Sequence, residues 1–137
     1  MSTPLWRIAL FTVCAVAAAG TAAAQVLTLD PPGQRDFILD TANLIGDADE
    51  TAIREQCTAL LEDTGIPVVV VTIESMAAHG GPDMRIETFA TLLFNQWGIG
   101  HENLGGQPSN RGILLLVSSG DRKARIELGA GWAHEFD

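Results

Sequence analysis

Apolar and polar positions along the chain follow two rhythms, one suited to strands and one to helices. "DFILD" (36–40) is a short apolar run bounded by acids and predicts a first strand. "TANLI" follows as a turn. Asp47 and Glu50 then have the spacing of an N-cap and N3 pair, so a helix is expected to start there. Ile53, Cys57, Leu60 and Leu61 give it an inward stripe, and Gly65 ends it. "IPVVVVTI" (66–73) is β-branched without alternation, the pattern of a strand covered on both faces. After "ESMAAHGGPD", the spacing of Ile86, Phe89/Ala90, Leu93 and Trp97 predicts a second helix from about Met84 to Trp97. "GILLLVSS" (112–119) reads as another strand buried on both faces. "GDR" (120–122) turns the chain into "KARIEL" (123–128), whose alternation puts Ala124, Ile126 and Leu128 on the buried side and Glu127 in solvent. This last segment is expected to be an antiparallel edge strand. "GAGWAHEFD" carries small residues that would let a further helix begin.

The order β-α-β-α-β-β predicts a layered α/β sheet with helices on its faces. One segment interrupts it. Between the second helix and the 112–119 strand lie fourteen glycine-rich, polar residues, Gly98–Arg111. Loops of that length are usually functional or disordered. Here Gly98, Gly100, Gly105 and Gly106 permit close backbone approach, Asn103, Ser109 and Asn110 can bond loop amides, and Arg111 can meet a phosphate or carboxylate. A loop flanking a ligand edge and a plain surface connection both fit. At the other end of the pattern, the last strand has nothing after it to cover its second face, so the domain is expected to be C-terminally truncated.

The N-terminus changes the picture of location. Arg7 is the only charge before Asp30, Ile8–Ala19 is apolar, and Ala22 and Ala24 stand at −3 and −1 of a cleavage site. Residues 1–24 therefore predict a secretory signal peptide, with an uncleaved anchor as the alternative, and 25–35, "QVLTLDPPGQR", an extended linker broken by Pro31 and Pro32. The domain is expected to span 36–137 and to act outside the cytoplasm, in the periplasm or on the extracellular face of the inner membrane. The chain's formal charge is −9, and without Arg7 it falls to −10. Such a surface repels nucleic acid and suits divalent cations or cationic protein surfaces. Only Cys57 follows the leader, so no intrachain disulfide forms there, and its place in a helical stripe marks it as a small buried hydrophobe.

"FILDTANLIGDAD", "LEDTGIPVVVVTIES" and "LFNQWGIG…NRGILLLVSSGDRKARIELGAGW" resemble the TPM domain, named for a thylakoid lumen protein, a photosystem II repair protein and a modulator of nicotinic receptors. The likeness runs from about Asp36 to Asp137 and is nearest to the family's bacterial exported branch. It implies a Rossmann-like α/β/α sandwich with a mostly parallel sheet and one antiparallel edge strand. It also implies divalent-cation binding in some members, acid phosphatase activity in plant relatives, and roles in assembly or maintenance of membrane-protein complexes. The family domain continues with further helices and sometimes a membrane span, so anchoring through a missing C-terminal segment is an expectation too.

The candidate chemistry follows from strand ends. Asp40 closes the first strand, at the edge where open α/β sheets place ligands, and Asn43 stands three residues on. Asp121 turns the chain after the 112–119 strand. If that strand runs parallel to the first, both acids share one edge and, with amide and backbone oxygens, suit a hard cation, calcium before magnesium. Asp137 could join them or be a frayed end. The local alternative is that Asp40 caps the "TANL" turn and Asp121 the "SGDR" hairpin. Zinc is disfavoured, because His101-Glu102 and His134-Glu135 do not extend to H-E-x-x-H. The chain has no Walker loop, no G-x-G-x-x-G and no G-x-S-x-G elbow. A phosphatase here would have to use metal-activated water. Two functions stay open: an exported cation-binding assembly module, and a metal-dependent acid phosphatase.

Overall fold

The computed structural model describes residues 26–33, 35–100, 103–104, 107–108, 110–133 and 135. In chain order the elements are β1 (Ile38–Asp40), α1 (Asp47–Thr64), β2 (Val68–Ile73), α2 (Ile86–Trp97), β3 (Asn103–Leu104), β4 (Gln107–Pro108), β5 (Ile113–Ser118) and β6 (Lys123–Leu128). Short 3-10 turns occupy Ala77–His79 and Ala130–Trp132. The main sheet has the order β1-β2-β5-β6, and β3 and β4 form a small antiparallel pair inside the long loop. β1, β2 and β5 are parallel, and β6 runs antiparallel to β5. This is the α/β sheet expected from the pattern.

Register divides the sheet into two faces. Val71, Ile73, Leu114 and Leu116 point to one, where they meet Phe89, Ala90, Leu93 and Phe94 of α2 in the main core. Phe89 is fully buried there, and Gly81 lies so close that a Cβ would come 2.5 Å from its ring. The other face carries Ile38, Val70 and Thr72 under α1, then Leu115, Ile126 and Leu128 farther along. α1 contributes Cys57 fully, with Ile53 and Leu61 half-buried. Leu60, expected in that stripe, is 38% exposed.

Four local expectations need correction. α1 is capped by Gly46, with Asp47 already inside the helix. Asp47, Asp49 and Glu50 form an acidic first turn that suits the helix dipole, not a capping box. Only one face of β5 is fully buried, and Ile113, Leu115 and Val117 on its second face are half-buried. β6 is turned over: Glu127 faces α2, where Thr91 donates to its carboxylate at 2.9 Å, and Ile126 is 58% exposed. Alternation shows that two faces exist but not which one the helix will cover. The fourth is the linker. Leu27 and Leu29 are buried in the main core. Gln96 clamps Leu27 through both its N–H and its C=O at 2.9 Å, and the Trp97 indole N–H donates to the Leu29 carbonyl at 3.0 Å. The alternation in "VLTL" was the missed signal.

Candidate functional site

Parallel strands put their C-terminal ends on one rim. β1 ends there at Asp40 and β2 at Ile73, and Asp121 sits in the turn leaving β5. Asp40 is held by the turn it precedes. Its Oδ1 accepts the N–H of Leu44 at 3.0 Å and the Thr72 hydroxyl, and its Oδ2 accepts the N–H of Ile45 at 2.9 Å. The Thr72 hydroxyl in turn accepts the N–H of Ala42 at 3.3 Å. Burial pushes the Asp40 carboxyl upward, but these three donors outweigh it and leave the group below its ordinary value. Asn43 shapes the same turn with φ 53°, a left-handed conformation that Asn tolerates, while its side chain is exposed.

Asp121 is built similarly from a different segment. Its Oδ2 accepts the Met76 N–H at 2.9 Å and the Ser118 hydroxyl at 2.7 Å. Those bonds, with the nearby Lys123, hold the carboxyl below its ordinary value against slight desolvation. The turn is pressed onto the end of β2, where Gly120 donates to the Glu74 carbonyl at 2.7 Å and a Cβ would come 2.5 Å from that oxygen. Thr72, Glu74 and Ser118 therefore belong to the rim and were missed in the sequence reading. Their signal was position: each lies at or just beyond the end of a strand.

The rim can attract and orient a cation, but it is not a closed cage. Asp40 has three of its acceptor positions filled by donors and Asp121 two. Among the described residues, no group of three or more His, Cys, Asp or Glu side chains could hold a metal ion. Calcium takes 6–8 oxygens, so water would have to supply most of its shell. Both rim hydroxyls are almost wholly buried, Thr72 at 3% and Ser118 at 0% exposure, and both donate to carboxylates. Neither is presented to a substrate as a nucleophile.

Gly98, Gly100, Asn110 and Arg111 lie elsewhere. Ile113 donates to the Pro67 carbonyl at 2.9 Å, and a Cβ on Gly100 would come 2.4 Å from the nitrogen of Gly112. Both ends of the long loop are thus anchored at the N-terminal rim, opposite Asp40 and Asp121. This corrects the expectation that the loop flanks the acidic edge. A parallel crossover helix must return the chain to the start of the next strand, so the segment after it reaches the far rim. There Gly98 and Gly100 line a groove of ≈ 420 Å³ with Pro31, Pro67 and Trp97. Arg111 meets the Glu135 carboxylate and lies 5.2 Å from the Trp132 ring centre. Asn110 has φ 41° and a buried Oδ1 without a partner among the described residues.

Asp137, His101, Glu102, His134 and the 1–24 leader lie outside the described residues. Among those described, no helix is long and apolar enough to cross a membrane.

Comparison with known proteins agrees with this architecture. A family model, the TPM domain, matches residues 38–136. The solution NMR structure of the N-terminal domain of a protein from P. gingivalis is similar at 28% identity, with a TM-score of 0.59. The match covers 73% of this chain and 57% of that one, so the chain spans little more than half the length of that relative. No curated protein matches.

Proposed function

The chain belongs to the TPM domain family, and on that premise we propose that it is an exported binding module whose acidic rim takes a hydrated divalent cation, calcium before magnesium. It serves in assembly or maintenance of membrane-protein complexes. The observation that carries this reading is the pair Asp40 and Asp121, two carboxylates kept ionised at one rim by main-chain and hydroxyl donors. Neither is paired with a cationic side chain in a salt bridge among the described residues, so the negative charge is available to a ligand. An exposed, water-completed ion of this kind binds on the order of 10⁻⁴–10⁻³ M, the range of extracellular modules.

The acid phosphatase alternative would need the same rim to activate water. A combined assay separates the two. Melting temperature is followed against calcium, and aryl phosphate hydrolysis is measured with calcium or magnesium present. The binding reading expects a rise in melting temperature with calcium that is lost in Asp40→Asn/Asp121→Asn, and no turnover. Turnover that vanishes in the same variant would replace the binding reading with the enzymatic one. A melting temperature unmoved by millimolar calcium would remove the cation.

A further inference from the structure

β6 ends the sheet, and among the described residues nothing pairs with its outer edge. The ladder to β5 shows which groups that edge offers. Gly129 donates to the Gly112 carbonyl at 3.0 Å, continuing the register in which Glu127 faces Leu114 and Arg125 faces Leu116. In an antiparallel ladder, hydrogen-bonded and non-bonded pairs alternate. Lys123, Arg125 and Glu127 therefore turn their main-chain groups toward β5. Ala124, Ile126 and Leu128 turn theirs outward, and all three are exposed.

We infer that β6 pairs with the β6 of a second copy of this chain, antiparallel and two-fold, centred on Ile126. Two requirements select that register. The outward-facing residues of the two strands must oppose one another so that their N–H and C=O groups meet, which restricts pairing to alternate registers. Charges across the seam must also be compatible. Centred on Ile126, the pairing sets Ala124 opposite Leu128 and Arg125 opposite Glu127, each twice. The Arg125–Glu127 pairs fall at non-bonded positions, where side chains approach most closely. Centring one residue earlier opposes Arg125 to itself, and one residue later opposes Glu127 to itself. Among the registers that pair three or more residues of each β6, only the one centred on Ile126 avoids like charges directly opposite, which destabilise a sheet. It also joins the exposed Ile126 and Leu128 of both copies into one strip, and self-complementarity is what a two-fold interface demands. A seam confined to one strand per copy is small, so the dimer is weak and concentration-dependent.

The test is sedimentation equilibrium on the purified chain over a wide concentration range, with circular dichroism to verify folding. The chain is expected to pass from monomer to dimer. Ile126→Pro removes an outward N–H and no bond to β5, so it should leave the sheet intact and abolish dimerisation. Glu127→Arg should weaken the dimer about tenfold or more by making both cross-seam pairs repulsive, and Arg125→Glu/Glu127→Arg should restore it. A chain that stays monomeric at the highest concentration would overturn the proposal. So would a dimer indifferent to Ile126→Pro, or one that Glu127→Arg weakens and the double exchange fails to restore while the fold is retained.

Discussion

Asp40 and Asp121 stand on either side of β2, and each carboxylate is fixed by a donor from that strand or the segment after it. The Thr72 hydroxyl donates to Asp40, and the Met76 N–H donates to Asp121 at 2.9 Å. Strand β2 thus ties together two acids 81 positions apart in sequence. The same bonds that shape the turns keep both groups ionised, so structural and binding roles coincide here instead of competing.

Acid should loosen this rim. Both carboxyls titrate below the ordinary value of 3.8 when folded, so the unfolded chain takes up protons first as pH falls. The stability they contribute is fully present above about pH 5, then declines as pH passes 3.8 and falls through the folded values. Melting temperature measured from pH 7 to pH 2.5 should drop more steeply in the native chain than in Asp40→Asn/Asp121→Asn. Identical slopes would show that these two acids are not linked to folding.

Cys57 should be slow to react. Burial raises its thiol above the ordinary range, and its side chain packs beneath α1. An aromatic disulfide reagent at pH 8 should label it only as fast as the helix opens, with the rate climbing steeply in sub-denaturing urea. Rapid labelling of Cys57 itself in the native chain would contradict the packing.

The segment before β1 should behave as core. Leu27→Ala is expected to cost about 2–5 kcal/mol in urea unfolding, the range for a large aliphatic side chain removed from a packed interior. The exposed neighbour Val26 provides the control, with Val26→Ala within about 0.5 kcal/mol. Equal, negligible effects would return the segment to linker status.

Two glycines should differ for geometric reasons. At Gly129 an added Cβ would sit 2.0 Å from the Asn110 carbonyl oxygen, so Gly129→Ala must displace main chain and should cost about 3 kcal/mol or more. Gly98 caps α2 with φ 64° and has open space around it, so Gly98→Ala should cost only about 1 kcal/mol. Thermal or urea unfolding of both variants checks the ranking.

Much of this architecture was legible from periodicity. The unbroken run Val68–Ile73 marked a central strand, and "SGDR" before "KARIEL" marked the antiparallel turn. The placement of Asp40 and Asp121 on one rim followed once β1 and β5 were taken as parallel. The orientation of β6 was not legible, because alternating faces look alike until a helix chooses one. Nor were the roles of Leu27 and Leu29, whose respective partners Gln96 and Trp97 lie some seventy residues away. The Gly98–Arg111 loop misled for a simpler reason: glycine content suggested a ligand loop, while connectivity had already assigned it to the far rim.

The most direct measurement is a calcium titration followed by amide NMR. The N–H groups of Leu44, Ile45 and Met76 hydrogen-bond the two carboxylates and report on them without substitution. These three signals are expected to shift together along a single binding curve, while those of Gly98, Gly100 and Arg111 stay in place. Signals at Leu44, Ile45 and Met76 that remain fixed at millimolar calcium, or shifts confined to the loop rim, would contradict cation binding at the acidic rim.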